Sequence, residues 1–328
     1  MAESHQYLFR VKHLVQSCTK SLSAWVLSTQ QSFRDGLTAR WPDIRSRLKQ
    51  YILLTRLNKP IGSFLLLWPT LWALWIAAEG MPSLHLFLVF FLGTFLTRSA
   101  GCVMNDYADR SFDRHVERTQ FRPLTTGTVS TKEAFLVAIT LLVMAFLLVL
   151  TTNRLTILLS FVAIPLAIVY PYMKRHTYLP QFFLGLAFSW GIPMAFAAQS
   201  GVVPRIAWLI FIANVLWTVV FDTIYAMVDR EHDLQIGVKS TAILFDDADR
   251  LIIGIIQCMV LIVLAIIGNQ LELGWLYYSS LFAAAGFSIY QQQLIKDRIP
   301  DKCFQAFLNN NWFGATIFIG IALSYLLD

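Results

Sequence analysis

The amino-acid sequence predicts an all-α, polytopic membrane protein. Of its 328 residues, 56% are apolar and only 14% are charged, and the mean hydropathy is +0.57, which ordinary soluble domains do not reach. The apolar residues also form runs of roughly the 17–25 residues that a membrane-spanning helix needs. We predict nine spans: Ile61–Ala78, Leu84–Val103, Ala134–Leu150, Leu155–Tyr170, Phe182–Ala198, Ile206–Thr223, Leu251–Gly268, Leu273–Tyr290 and Phe307–Leu327.

Lysine and arginine are divided unevenly between the two ends of these spans. Ten lie in the segment up to Lys59, and the loops on the same side add Arg110, Arg114, Arg118, Arg122, Lys132, Lys174, Arg175, Arg230, Lys239, Arg250, Lys296, Arg298 and Lys302. The opposite loops hold only Arg154 and Arg205. Because basic loops stay in the cytoplasm, we predict a cytoplasmic N-terminus and an external Asp328. The formal charge of +6 then indicates topology and contact with anionic lipid, not nucleic-acid binding.

Residues 1–51 precede the first span and are predicted to form a separate cytosolic extension, with residues 52–328 as the transmembrane domain. The extension lacks the continuous apolar stretch and small-residue cleavage site of a secretory signal. An interfacial amphipathic helix or a frayed extension is the preferred interpretation, and an organellar transit peptide is the alternative. The four cysteines have no metal-type spacing and imply no disulfide framework.

Acidic residues gather in two clusters at the ends of predicted spans. The first follows the second span and contains Asn105, Asp106, Asp109 and Asp113; the second lies at the end of the sixth span and contains Asp222, Asp229 and Asp233. If each span continues as a helix at about 100° per residue, the first set falls within an arc of roughly 100° and the second within about 40°. Each cluster therefore predicts a carboxylate stripe on one helix face.

Two facing carboxylate stripes predict a magnesium site. Crowded carboxylates repel one another unless a cation lies among them, and clusters with only oxygen donors suit a hard ion such as Mg²⁺. Acids at helix ends can also simply face water, but here each stripe is followed by a basic, glycine-containing loop, residues 118–127 and 237–241. Such loops bind phosphate oxygens. The two stripes therefore predict two or three ions that together bind one pyrophosphate.

A divalent-cation transporter is an alternative that would use the same acids. Transport sites tend to lie near the middle of the bilayer among broken helices. These stripes begin at the cytosolic ends of their spans, which favours an enzyme.

These motifs resemble the UbiA superfamily of intramembrane aromatic prenyltransferases, and in particular its 4-hydroxybenzoate polyprenyltransferase branch in bacterial ubiquinone synthesis. The resemblance covers about residues 52–327 and is most specific in three motifs, Asn105-Asp106-x-x-Asp109-x-x-x-Asp113, Asp229-x-x-x-Asp233 and Gly237-x-Lys239-Ser240. Four further stretches resemble the 4-hydroxybenzoate branch, at residues 59–62, 67–75, 170–175 and 309–311. The extension of roughly fifty residues before the first span is longer than the branch usually has.

The resemblance implies a nine-span bundle around a central cavity, with a cytosolic cap and a side opening to lipid, in the bacterial inner membrane. It implies that a polyprenyl group moves from polyprenyl pyrophosphate to the carbon beside the hydroxyl of 4-hydroxybenzoate, with Mg²⁺ as cofactor. Membrane lipid and proteins of the quinone pathway are the expected partners. Within the family the alternative is another ring, such as homogentisate, a naphthoate or haem.

Roles follow from this chemistry, because catalysis must first stabilise the charge of the leaving pyrophosphate. We assign Asn105, Asp109 and Asp113 to one metal group and Asp229 and Asp233 to the other, with Asp109, Asp229 and Asp106 as the catalytic residues. Asp106 and Asp222 are expected to orient their neighbours. Arg118, Arg122 and Lys239 are the candidates for pyrophosphate contact. For the acceptor carboxylate the candidates are Lys174, Arg56 and Arg175, the last two by resemblance; each can also be only a topology anchor.

Overall fold

The structure of the protein, a computed structural model, describes residues 44–114 and 119–327, and of residues 111–113 it describes only the backbone. Its α-helices are α1 (44–54), α2 (Ile61–Ala78), α3 (Leu84–Asp113), α4 (Pro123–Thr126), α5 (Thr131–Val149), α6 (Arg154–His176), α7 (Pro180–Ser189), α8 (Gly191–Ser200), α9 (Arg205–Ala226), α10 (Arg230–Ile236), α11 (Thr241–Phe245), α12 (Asp249–Gln270), α13 (Trp275–Leu294) and α14 (Pro300–Leu327). Two short 3₁₀ turns, Asp246–Ala248 and Ile295–Asp297, precede α12 and α14. No strand occurs in the described part of the chain, which confirms the all-α prediction.

Eight segments within the described residues are long and apolar enough to cross a membrane, where the sequence predicted nine spans. The predicted span at Leu273–Tyr290 corresponds to α13, which is not among the eight. This helix carries polar side chains that bond inside the bundle. Gln291 accepts a hydrogen bond from Gln257 of α12 at 2.9 Å and donates one to Asn309 of α14 at 3.0 Å. These buried amides lower the hydropathy of α13 while they attach it to its neighbours.

Side-chain caps begin several of the helices. Ser130 begins α5 with a capping box, in which its hydroxyl accepts from the backbone of Glu133 and the Glu133 carboxylate accepts from the backbone of Ser130. Asn153 caps α6 through Thr156 N, and Ser240 caps α11 through Ile243 N. The predicted fifth span is divided at Trp190 into α7 and α8.

The core lies between α2, α9 and α14 and is built on tryptophan. Trp72 and Trp217 stack with ring centroids 5.4 Å apart, and both side chains are fully buried. Trp217 donates to Asn310 Oδ1 at 2.9 Å, and Trp72 donates to the carbonyl of Gly314 at 3.0 Å. These bonds join the tryptophan-rich stretch of α2 and the asparagine run of α14, two of the stretches on which the family resemblance depends.

By its contacts the chain divides between Ile52 and Leu53. All of the site described below lies in the second unit, Leu53–Asp328.

Candidate active site

The first acidic cluster lies on one uninterrupted helix. As predicted, α3 continues past the apolar segment through Asn105 to Asp113. Asp106 is only 1% exposed and is neutralised by two cations: Arg56 Nη2 lies 2.6 Å and Arg122 Nη1 lies 3.1 Å from Asp106 Oδ1. Burial lowers the pKa of the Arg56 guanidinium, but the charge of Asp106, the fields of Cys102 and Tyr225 and the hydrogen bond to Asp106 together outweigh it, so that this pKa lies above its ordinary value.

Asp109, one turn further along α3, forms an ion pair with α6. Lys174 Nζ lies 2.5 Å from Asp109 Oδ1, and the Asp109 side chain is buried. The same oxygen has no partner in hydrogen-bond geometry, so the contact is electrostatic and leaves the oxygen poorly satisfied. A buried carboxylate oxygen of this kind fits a site that takes a metal ion when substrate binds.

Three predicted residues of this region are less fully described. Asn105 is half-buried on the same helix. Asp113 belongs to α3 by its backbone, but its side chain lies outside the described residues, as does all of Arg118.

The second acidic cluster is built differently from the prediction. The expectation of one helix from Asp222 to Asp233 is wrong, because α9 ends at Ala226 and α10 begins at Arg230. Asp229 is the residue before α10, and its carbonyl accepts from Asp233 N at 2.9 Å. The chain turns between α9 and α10. Asp222 therefore lies on α9, in its membrane-embedded part, whereas Asp229 and Asp233 lie beyond the turn.

The loop after α10 brings the two clusters together. Gly237 ends α10 with φ +72°, a left-handed conformation that favours glycine. Lys239 N then donates to the carbonyl of Lys174 at 3.0 Å, and Lys239 Nζ donates to the carbonyl of His176 at 3.3 Å. Because Lys174 pairs with Asp109, the end of α6 joins the first acidic cluster to the loop that follows the second. The backbone of Lys239 is thereby attached to the end of α6 that carries Lys174.

A buried ion cluster fixes the segment that carries Asp229. Asp249, fully buried at the start of α12, accepts from Arg298 Nε at 2.9 Å and from Arg298 Nη2 at 2.8 Å. Arg230 Nη1 lies 3.6 Å from Asp249 Oδ2, and Arg230 also pairs with Asp246. The bond to Asp249 raises the pKa of Arg298 above its ordinary value. Arg230 follows Asp229 directly, so this cluster holds the start of α10 against α12.

Two charged residues that the sequence analysis left without a role in binding lie inside the bundle. Asp222 interacts electrostatically with Arg98 of α3 and with Lys174, and Tyr170 lies in the field of Arg98, Asp109 and Asp222. Arg98 was not predicted, although it is the only lysine or arginine within the nine predicted spans, and Asp222 is the only acid within them. Charges in a membrane span mark functional sites.

The Arg98 side chain packs against Gly62 of α2. A Cβ atom on Gly62 of α2 would lie 2.7 Å from Arg98 Nε, so a larger residue at position 62 would require the guanidinium to move. On its other side the Arg98 guanidinium lies 5.7 Å from the centre of the Phe188 ring. Within the described residues it has no carboxylate at ion-pair distance. A cation without a bound anion therefore occupies the membrane-embedded part of the bundle.

The Arg175 side chain contacts the backbone of α3, whereas its neighbour Lys174 contacts a carboxylate of α3. Its Nη2 donates to the carbonyl of Ala108 at 2.5 Å, and its guanidinium lies 5.4 Å from the centre of the Tyr172 ring. By helix geometry Ala108 is roughly 110° around α3 from the middle of the Asn105–Asp113 stripe. Arg175 therefore contacts α3 away from the carboxylates.

The oxygen donors fit magnesium, although the described residues contain no group of three acidic, histidine or cysteine side chains close enough to bind an ion by themselves. Mg²⁺ commonly takes only one or two carboxylates and completes its shell with water and substrate phosphate. Asn105 with Asp109, and Asp229 with Asp233, supply oxygen donors of that kind.

The fold and the site define a multi-pass, all-helical membrane enzyme whose two acidic motifs meet at one end of the bundle. The chain belongs to the UbiA prenyltransferase family, whose profile matches residues 66–317. It is 58% identical to the 4-hydroxybenzoate octaprenyltransferase of Aliivibrio fischeri over 86% of this chain and 99% of that protein. It is 57% identical to the enzyme of the same name from Hahella chejuensis, over 86% and 94% of the two chains.

Solved structures share the fold at low sequence identity. A UbiA homologue from Aeropyrum pernix K1 superposes with a TM-score of 0.71 at 23% identity, covering 80% of this chain and 98% of that one. A homologue from Archaeoglobus fulgidus, solved with GPP and Mg²⁺, has a TM-score of 0.64 at 19% identity, over 83% and 99% of the chains.

Proposed function

We propose that this enzyme transfers a polyprenyl group from polyprenyl pyrophosphate to the ring carbon ortho to the hydroxyl of 4-hydroxybenzoate. The products are 3-polyprenyl-4-hydroxybenzoate and pyrophosphate, a step of ubiquinone synthesis. Relatives at 56–58% identity that carry the name 4-hydroxybenzoate octaprenyltransferase support the choice of acceptor. The observation that best supports this proposal is the contact between the loop after the second acidic motif and the end of α6. Lys239 N donates to the carbonyl of Lys174, whose side chain pairs with Asp109 of the first motif.

The donor end of the site is the region between the two motifs. Lys174, Lys239 and Arg122 are the described cations here that we assign to the pyrophosphate, together with the predicted Arg118. In the described state Arg122 and Lys174 pair with Asp106 and Asp109. A pyrophosphate would offer these cations stronger acceptors, so donor binding is expected to exchange ion pairs. Asp106 remains fixed by Arg56 and orients the region.

We propose that magnesium is the cofactor and that Asn105, Asp109, Asp113, Asp229 and Asp233 hold it. When bound, it supplies Lewis-acid stabilisation for the leaving pyrophosphate. The UbiA homologue from Archaeoglobus fulgidus solved with GPP and Mg²⁺ supports this assignment. The remaining work falls to the protein, which orients the allylic carbon and excludes water from the carbocation that forms when the C–O bond breaks.

We propose that the acceptor binds further into the membrane-embedded part of the bundle, near Asp222 and Arg98. The acceptor carboxylate needs a cation, and Arg98 is an inward cation whose charge no described carboxylate neutralises at ion-pair distance. Asp222, in the field of Arg98, is placed to receive the proton that the ring carbon loses when the new C–C bond forms. Arg56 and Arg175 stay the candidates that the sequence analysis named.

We further propose that the protein lies in the bacterial inner membrane with its N-terminus and both acidic motifs on the cytoplasmic side, and that residues 52–328 form the transferase domain after a cytosolic extension. The lysine and arginine asymmetry supports this orientation. A Lys239→Cys variant should react with a membrane-impermeant thiol reagent only from the cytoplasmic side, and Arg154→Cys only from outside. The reverse pattern would invert the topology.

The direct test is transfer in membranes that contain the full chain. We would supply magnesium, labelled polyprenyl pyrophosphate and a panel of acceptors, namely 4-hydroxybenzoate, homogentisate and a naphthoate, with Asp229→Asn membranes as the matched control. We expect product with 4-hydroxybenzoate alone. Preferred transfer to another ring would reassign the acceptor within the family. Metal-dependent cation uptake without any transfer would contradict the proposal as a whole.

A further inference from the structure

A basic cleft lies beside the carboxylate stripe, at the end of α3 that continues past the apolar segment. It has a volume of about 430 Å³ and is lined by Tyr107, Ala108, Arg110, Arg114, Tyr172 and Arg175. Arg110 and Arg114 lie roughly 100° and 140° around α3 from Asp109. A ligand bound by both arginines would therefore lie to one side of Asp109.

Within the described residues, two arginines of the cleft have no carboxylate partner. Arg110 Nη1 donates to Thr131 Oγ1 at 3.1 Å, but Arg110 Nε is buried without a hydrogen-bond partner. Neither Arg110 nor the exposed Arg114 forms an ion pair with a carboxylate of the described residues, and no carboxylate lines the cleft. Like charges gathered around an unpartnered N–H favour a bound anion.

The surroundings indicate which anion. The cleft lies at the basic ends of α3 and α6, where the protein would meet phospholipid headgroups, and its two tyrosines are typical of that depth. Further into the membrane, the faces of α5 and α6 expose apolar side chains, among them Leu136, Ile139, Ile164 and Ile168. Guanidinium groups bind phosphate oxygens in a forked geometry, and basic pockets between membrane helices bind anionic headgroups.

We propose that this cleft is a binding site for an anionic phospholipid. Arg110 and Arg114 bind the headgroup phosphate, Tyr107 and Tyr172 flank it, and the acyl chains lie along the exposed faces of α5 and α6. The 4-hydroxybenzoate carboxylate is the other candidate occupant. It is disfavoured because Arg98, which interacts electrostatically with Asp222, already offers the acceptor carboxylate a cation deeper in the bundle.

The test measures lipid bound to the full chain in neutral detergent by native mass spectrometry. Phosphatidylglycerol and phosphatidylcholine are titrated against the wild type, Arg110→Gln, Arg114→Gln and the double variant. Arg250→Gln, an exposed arginine on the same side of the bundle, is the matched control. Each lost arginine should weaken phosphatidylglycerol binding about fivefold, and both together about 25-fold. Arg250→Gln should bind as the wild type does.

Several outcomes would overturn the proposal. Equal binding of the two lipids, or an equal loss in Arg250→Gln, would mean that no specific site exists. Displacement of phosphatidylglycerol by inorganic phosphate at equal concentration would make this a site for free phosphate instead of lipid. Displacement by 4-hydroxybenzoate, with a raised acceptor KM in Arg114→Gln, would assign the cleft to the acceptor. Arg114 is exposed, so its variant should fold even where Arg110→Gln does not.

Discussion

The two acidic motifs differ in how the protein holds them. In the first, carboxylates stand on one continuous helix, and both Asp106 and Asp109 are already paired with cations, Arg56, Arg122 and Lys174. In the second, Asp229 stands at a turn between two helices, and the turn is fixed by the ion cluster around Asp249. One motif is thus rigid in its backbone and paired in its side chains, whereas the other owes its position to a neighbouring buried charge cluster.

This difference suggests a division of labour. Lys174 must leave Asp109 before the Asp109 oxygens can bind metal, so donor binding there requires an exchange of partners. In the second motif, Arg298 and Arg230 pair with Asp249, which is not a predicted metal ligand. We therefore expect substitutions in the first motif and at Asp229 to affect turnover, and substitutions in the Asp249 cluster to affect stability.

Removal of magnesium should have the largest effect, because it acts on both motifs at once. Carboxylates repel a pyrophosphate unless cations lie between them. Excess chelator should reduce transfer in membranes to background, and added Mg²⁺ should restore it. Transfer assays with and without chelator measure this, and full turnover in chelator would contradict the two-motif site.

Asp109→Asn and Asp229→Asn should each lower turnover by about a hundredfold or more, the scale of losing one contact that stabilises transition-state charge. Both keep the shape of the side chain and remove its charge. Asp301→Asn, an exposed acid at the start of α14, is the matched control and should leave the rate unchanged. A near-normal rate for either variant at matched protein level would remove that motif from the catalytic site.

Asp249→Asn should act on stability instead. Removing the charge of the buried carboxylate costs about 1–3 kcal/mol, because the partly exposed Arg298 keeps only one amide oxygen as acceptor and Arg230 loses a nearby charge. We expect a lower melting temperature in detergent, with both apparent KM values unchanged in the fraction that remains folded. An unchanged melting temperature with a raised magnesium requirement would show that Asp249 acts on the metal site.

Arg98→Gln should have a more selective effect. A lost charge-assisted contact is worth roughly 1.5–3 kcal/mol, so the apparent KM for 4-hydroxybenzoate should rise about ten- to a hundredfold. The KM for the donor should change much less. Arg175→Ala, measured in parallel, separates the two candidates, because an effect on the acceptor confined to Arg175 would place the acceptor at α6 and leave Arg98 as a structural charge.

Much of the fold was predictable because it depends on local properties. Apolar runs of sufficient length predict membrane helices, and the polar end of α3 continues the helix as its spacing indicated. The prediction failed where long-range contacts decide. The break between α9 and α10 has no strong local signal. The predicted span at Leu273–Tyr290 is present as the helix α13, but its glutamines and tyrosines give it a lower hydropathy than the other spans.

For the site, the sequence by itself determined the residue types: two acidic motifs, the basic loops after them and the membership of a family. It also contained one overlooked signal, that Arg98 and Asp222 are the only charges within the predicted spans. Only the tertiary structure decided which charges meet. Arg56 reaches Asp106, Lys174 reaches Asp109, and Arg175 bonds to the backbone of Ala108 although it follows Lys174 directly. Partners fifty or more residues apart are set by how helices pack, and helical spacing along one segment carries no information about the segment that packs against it.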